Sequence, residues 1–227
     1  MKIGLLQCGP TPEELVPEHG DYPALYARML DGHGFEHVHW RVFEGDFPDS
    51  PEAADGWLIS GSRYGAYEDH AWIPPLEEFI RAVIAAGRPL VGICFGHQII
   101  AQALGGKVEK FAGGWSVGAT EYDFGGEVLT ANAWHQDQVT VVPPGAQVVA
   151  RSASCANAAL LYPGRAYSVQ PHPEFERGFV EALIRHKGPG VVPDALLDIA
   201  TERLETPVDN ARIAAQFAQF FRTGEIA

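Results

Sequence analysis

Five residues, Gly92-Ile93-Cys94-Phe95-Gly96, carry the residue types from which a covalent catalyst can be built. They form a Gly-x-Cys-x-Gly turn. Before it lies a short apolar run suited to a buried strand (90–93), and after it a segment with helical apolar spacing (97–104) that stops at Gly105-Gly106. So tight a passage from strand to helix leaves room only for glycine on either side. It presents the central side chain at a helix N-terminus, where aligned amides favour negative charge. The thiolate is the attacking form of cysteine, so Cys94 is read as a nucleophile. Without the flanking glycines it would read as a small core residue like alanine. Cysteine and serine hydrolases share the elbow, so its partners must decide the chemistry.

A cysteine nucleophile needs a histidine base and a group to orient it. Nine histidines are present, so the presence of one says little. The informative one lies in Gln170-Pro171-His172-Pro173-Glu174-Phe175, directly after a buried strand-like run. Prolines on both sides favour extended backbone, in which residues two apart point the same way. Glu174 can then bond one ring nitrogen of His172 while the other faces Cys94. The competing reading is a glutamate that caps the following helix beside a loop histidine.

Taken together, Cys94, His172 and Glu174 resemble the core of the class I, triad-type glutamine amidotransferases. Members of that family carry a Gly-x-Cys-x-Gly elbow and a distant His-Pro-Glu. The resemblance runs over about residues 2–186 and includes Gln98 after the elbow. It implies a flavodoxin-like, doubly wound sheet. It also implies a Cys94–His172–Glu174 triad, with the amide of Phe95 and one from the Ile59-Ser60-Gly61-Ser62-Arg63 loop as the oxyanion hole. That loop departs from the family's Ser-Gly-Gly-Pro: Ser62 stands for the second glycine and Arg63 for the proline, so either Gly61 or Ser62 is the second donor. The stretch Gly113-Gly114-Trp115-Ser116 occupies the place of the loop that touches the substrate's main-chain groups. Gln98, Trp115 and Ser116 are therefore the expected substrate contacts. His135, in Asn132-Ala133-Trp134-His135-Gln136-Asp137, has no carboxylate spaced to orient it and is expected to support the site rather than act as base. His37 and His39 could formally hold a metal, but their alternation with Val38 and Trp40 reads as a sheet face. Neither metal nor cofactor is expected.

The resemblance implies cysteine-dependent cleavage of a γ-glutamyl amide through a thioester, which is glutaminase chemistry. No stretch resembles an ATP-binding synthetase or its phosphate loop. Either a separate synthetase subunit receives the ammonia, or the enzyme acts alone. Ser60-Gly61-Ser62, with Tyr64, Ala66-Tyr67 and Trp72-Ile73 nearby, resembles the subgroup containing plant γ-glutamyl peptidases, which cut γ-glutamyl peptides or conjugates unaided. A non-catalytic binding or regulatory subunit is the third reading, and the intact triad speaks against it.

The elements that must position these groups alternate strand and helix through the first half: strands at 2–8, 37–43, 56–59 and 90–93, helices at 22–30 and 73–86. Alternation of this kind predicts an α/β fold with a mostly parallel, doubly wound central sheet, whose chemistry gathers at the carboxyl ends of the strands. After Gly106, seven short strands follow (108–111, 119–124, 127–130, 138–142, 147–151, 158–161, 166–170), expected as antiparallel hairpins added to the sheet edge. A helix at 175–186 ends the core, placing one α/β domain at 1–187. A helical extension at 188–227 is expected to pack back through Ala195, Leu196, Ile199, Ile213, Phe217, Phe220 and Phe221, with a homodimer contact or a lid as alternatives. With 46% hydrophobic and 20% charged residues, the chain has the composition of a water-soluble globular protein. A formal charge of -13 disfavours nucleic-acid backbones and anionic membranes as partners. Three scattered cysteines give no disulfide framework, and residues 1–6 lack a signal-peptide pattern. A cytoplasmic location is the expectation.

Overall fold

The computed structural model describes residues 1–226. In chain order the strands are β1 (Lys2–Gln7), β2 (Glu36–Arg41), β3 (Gly56–Ile59), β4 (Leu90–Ile93), β5 (Lys107–Lys110), β6 (Ser116–Asp123) and β7 (Val128–His135). They continue with β8 (Asp137–Val141), β9 (Gln147–Ala150), β10 (Ala159–Tyr162) and β11 (Ala166–Val169). The helices are α1 (Val16–His19), α2 (Tyr22–Met29), α3 (Ile73–Ala85), α4 (Phe95–Ala103), α5 (Arg177–His186), α6 (Asp194–Glu202) and α7 (Asn210–Thr223). Among the described residues no helix is long and apolar enough to cross a membrane.

Seven strands form the central sheet in the order β2-β1-β3-β4-β11-β10-β9. The first five run parallel, and β10 and β9 join antiparallel at one edge. Strand alternation divides the core into two layers. Leu58, Val91, Ile93, Tyr167 and Val169 face one layer, under α2, α5 and α7. Trp57, Ile59, Leu90 and Ala166 face the other, under α3 and α4. At the β2 edge His37 and His39 are exposed while Val38 and Trp40 turn inward, the sheet face expected from their alternation.

The second half departs from a simple set of edge hairpins. Only β9 and β10 extend the sheet edge as expected. β11 lies inside the sheet, parallel to β4, with Val169 opposite Ile93. Its four residues are all buried, and such a strand needs a neighbour on each side. β5 pairs with β8, and β6 with β7, as separate two-stranded sheets.

In the last two helices, Ile213, Phe217, Phe220 and Phe221 of α7 are buried in the same layer as α2 and α5. α6 departs from the expected stripe: Ala195 and Ile199 are exposed, and the buried residues are Leu197 and Ala200. Close backbone approach explains the change of face. A Cβ on Gly118 of β6, at φ 74°, would lie 2.9 Å from the Ala200 Cβ and 3.1 Å from its Cα. One on Gly188 would lie 2.6 Å from a Leu197 methyl. The helix sits where two glycines let it come near, which apolar spacing within α6 does not reveal.

Candidate active site

Cys94 joins β4 to α4 at φ 53°, ψ -104°, and is the sole non-glycine residue with positive φ among those described. Strain of this kind costs about 1–3 kcal/mol and persists only where the surroundings enforce it. Here they do. A Cβ on Gly92 would lie 2.5 Å from the Gly96 carbonyl oxygen, and one on Gly96 would lie 2.3 Å from that of Ile59. The turn is pinned from both neighbouring strands: Cys94 N–H donates to the Val169 carbonyl (2.9 Å), and Gly96 N–H to that of Ser60 (3.1 Å). The Cys94 side chain reaches the same buried layer as β11 and α2.

Parallel pairing of β4 with β11 brings their carboxyl ends side by side, and His172 follows β11 by three residues. Its N–H donates to the Asn132 carbonyl of β7 (2.8 Å), and its ring stacks on Phe175 with centroids 4.0 Å apart and planes 3° off parallel. Nδ1 lies 2.7 Å from Glu174 Oε1. Both side chains are buried. Burial by itself pushes the imidazole down. The charge of the Cys94 sulfur, then the Glu174 carboxylate with its hydrogen bond, outweigh burial and hold His172 well above its ordinary range. With Nδ1 committed to Glu174, Nε2 remains for the sulfur. The His172–Glu174 contact anticipated for this pair is present, but in a turn closed by Phe175 N–H on the His172 carbonyl (3.2 Å) rather than in the extended segment expected. Glu174 is no helix cap: α5 begins only at Arg177, and its N-cap residue is Glu176.

The loop after β3 corrects one expectation. Gly61 N–H already donates to the Tyr26 hydroxyl (2.9 Å) and is not free to meet a developing charge. The N–H groups of Phe95 and Ser62 donate to no acceptor among the described residues. Ser62 is held in place through its side chain, whose hydroxyl donates to the Cys8 carbonyl (2.8 Å) and accepts from Tyr64 N–H (3.2 Å). This bracing fixes the loop at the position where the family pattern has glycine.

The remaining expected residues are held by contacts of their own. The amide nitrogen of Gln98 donates to the Asp137 carbonyl (2.9 Å) and to Gln170 Oε1 (3.1 Å), so both its donors are spent on the protein and only its carbonyl is left. Ser116 is buried, its Oγ 3.2 Å from that of Ser154, and pairs across the β6–β7 ladder with His135. Half-buried Trp115 packs edge-on to Trp134, centroids 6.4 Å apart. His135 places Nδ1 3.3 Å from the Asp137 carbonyl, and its Nε2 is buried without a partner among the described residues. Burial, then the charge of His172, push it down to about 3, so it stays neutral.

Sequence reasoning missed Tyr26, which accepts from Gly61 and donates to Glu174 Oε1 (3.1 Å). It also missed Tyr22, one turn earlier, whose ring stacks at 5.8 Å on that of Tyr26 and whose hydroxyl lies beside Gly61. The two stand four apart on the buried face of α2, a spacing indistinguishable from ordinary core packing. Among the described residues no group of three or more His, Cys, Asp or Glu side chains gathers as a metal site.

Comparison with known proteins agrees with this architecture. A family model for class-I glutamine amidotransferases matches residues 35–184. A glutamine amidotransferase-like protein of Schizosaccharomyces pombe is 28% identical, covering 96% of this chain and 97% of its own. Gamma-glutamyl peptidase 4 of Arabidopsis thaliana is 30% identical, covering 81% and 79%. GMP synthases are also relatives: that of Thermus thermophilus is 45% identical over 52% of this chain, but only 24% of its own length is matched. A glutamine amidotransferase from Methylobacillus flagellatus shares the fold at TM-score 0.77 and 22% identity, covering 97% of this chain and 92% of its own. With the family model spanning most of the chain and a relative at 30% identity over four-fifths of it, this protein belongs to the class I glutamine amidotransferase family.

Proposed function

We propose that the protein is a cysteine hydrolase that cleaves a γ-glutamyl amide through a thioester, with Cys94 as nucleophile, His172 as acid and base, and Glu174 holding the imidazole. The observation that carries this reading is the strained, glycine-flanked Cys94, whose sulfur is the charge acting most strongly on a buried His172 with Nδ1 already bonded to Glu174. In the first step the sulfur attacks the amide carbon while His172, held well above its ordinary range, already carries the proton. The carbonyl oxygen, now negative, accepts from the N–H groups of Phe95 and Ser62. As the tetrahedral adduct collapses, the C–N bond breaks and His172 gives the proton to the leaving amine. Water, deprotonated by the same Nε2, attacks the thioester. The sulfur leaves as the thiolate, His172 keeps the proton, and glutamate is released.

The leaving group divides two readings. If it is ammonia from glutamine, a separate synthetase subunit is the expected partner, as the GMP synthase relatives suggest. If it is the amine of a γ-glutamyl peptide or conjugate, the enzyme acts alone. The length match favours the second: the γ-glutamyl peptidase relative is matched over most of its length and the GMP synthase over only a quarter. Glutamine and a γ-glutamyl dipeptide given in parallel to the purified chain test this, with Cys94→Ala as control. Fast dipeptide turnover without a partner supports the peptidase. Slow glutamine hydrolysis accelerated by a second protein supports the amidotransferase. No turnover of either, together with no labelling of Cys94 by a glutamine-like alkylator, would overturn the enzyme assignment in favour of a binding or regulatory role.

A further inference from the structure

Tyr26 lies between the two halves of the site. Its ring is buried, 2% exposed, on α2, and its hydroxyl makes two bonds to groups far apart in sequence. It accepts from Gly61 N–H on the oxyanion loop (2.9 Å) and donates to Glu174 Oε1 (3.1 Å), the same oxygen that holds His172 Nδ1. The second carboxylate oxygen, Oε2, is buried with no partner among the described residues. Oε1 therefore carries the hydrogen bonding of the carboxylate, and Tyr26 and His172 share it. Burial, with the charge of Glu174 and of Tyr22, keeps the phenol protonated, so it remains a donor to Glu174 at any working pH.

We propose that Tyr26 is a positioning residue that couples the oxyanion loop to the Glu174 carboxylate, fixing the loop so that Ser62 rather than Gly61 offers its N–H, and limiting how strongly Glu174 holds the proton on His172. This extends the proposed hydrolase mechanism and rests on it. The titratable groups that face His172 are Cys94 from the elbow, Glu174 from its own segment and His135 from β7, with Tyr22 and Tyr26 from α2 around Glu174. Of these, Tyr26 alone bonds both Glu174 and the loop after β3.

Tyr26→Phe removes both bonds and leaves the ring in place. The negative charge on Oε1 then falls on His172 alone, and the imidazolium keeps its proton to higher pH. The loop loses its anchor at Gly61. Turnover should fall about 10- to 100-fold with KM within about 2-fold of wild type, because the loop acts on the transition state. Alkylation of Cys94 by iodoacetamide, located by peptide mass spectrometry across pH, reads the pair without any substrate. Its upper limb, where His172 loses its proton, should move up by about half a pH unit or more. Tyr167→Phe is the control: it removes another buried hydroxyl, bonded to Gln216 (2.9 Å) away from the triad, and should lower thermal stability without moving the limb. A limb that stays put in Tyr26→Phe, with only the melting temperature lowered as in Tyr167→Phe, overturns the proposal. Should Tyr26→Phe not fold, 3-fluorotyrosine at position 26 keeps both partners while donating more strongly to Glu174. The limb should then move down, and no movement overturns the proposal. Because alkylation needs no turnover, an inactive enzyme with the predicted shift would count against the hydrolase reading and not against the role of Tyr26.

Discussion

Two buried histidines should make the fold sensitive to mild acid. His97, on α4, has Nδ1 2.8 Å from Ser168 Oγ, and burial pushes it down to about 4. His135 is pushed down to about 3 by burial, with the charge of His172 as the next cause. Both titrate near 6.5 once unfolded. Between pH 7 and pH 5 the unfolded chain therefore takes up two protons that the folded chain refuses, and each costs about 2 kcal/mol of stability over that interval. His172 works in the other sense. Its folded value is raised, so its contribution is complete below about pH 6.5 and fades as pH rises. Going from pH 7 to 5 it returns about 1 kcal/mol. The net expectation is a loss of about 3 kcal/mol, a large share of the stability of a domain this size. Urea unfolding at half-unit steps from pH 5 to 7 measures it. His97→Gln and His135→Gln should each lower the average slope over this interval by about 1 kcal/mol per pH unit, whatever they do to absolute stability. A wild-type slope near zero over this interval would refute the reasoning, as would a slope left unchanged by both substitutions. Either result would mean that these imidazoles are hydrated or protonated in the folded protein.

Two further outcomes follow from backbone geometry. At Cys94 the positive φ should reverse the usual order of small residues, so Cys94→Gly is expected to be more stable than Cys94→Ala by about 1 kcal/mol in urea unfolding, with neither variant alkylated at the elbow. Gly118→Ala should cost about 2 kcal/mol or more and undock α6, because the added methyl meets Ala200 at a positive φ. Increased hydrogen exchange confined to α6 and its loops would identify the cause.

Much of the site was legible in the sequence because local rules govern it. A glycine on each side of Cys94 has one strong physical meaning, backbone too close for a Cβ, and the approaches at Gly92 and Gly96 bear this out. The closeness of His172 and Glu174 in sequence brings Nδ1 and Oε1 together, although a turn at Pro173-Glu174 rather than the expected extended backbone does it. Periodicity also located the strands of the first half and helices α2 and α3 to within a few residues, but not the short α1.

Other features depended on elements meeting from far along the chain. Sequence could not say that β11 inserts beside β4 instead of extending the edge, since an apolar run reads alike in either place. It left Gly61 and Ser62 as equal candidates, and could not show that a hydroxyl 35 residues away claims the Gly61 N–H. The buried face of α6 was misplaced because Gly118 and Gly188 admit it, not because of its own pattern. Residue types and short spacings thus determined which chemistry is available. Long-range pairing, and the competition of buried groups for a limited number of hydrogen bonds, decided which atoms remain free to perform it.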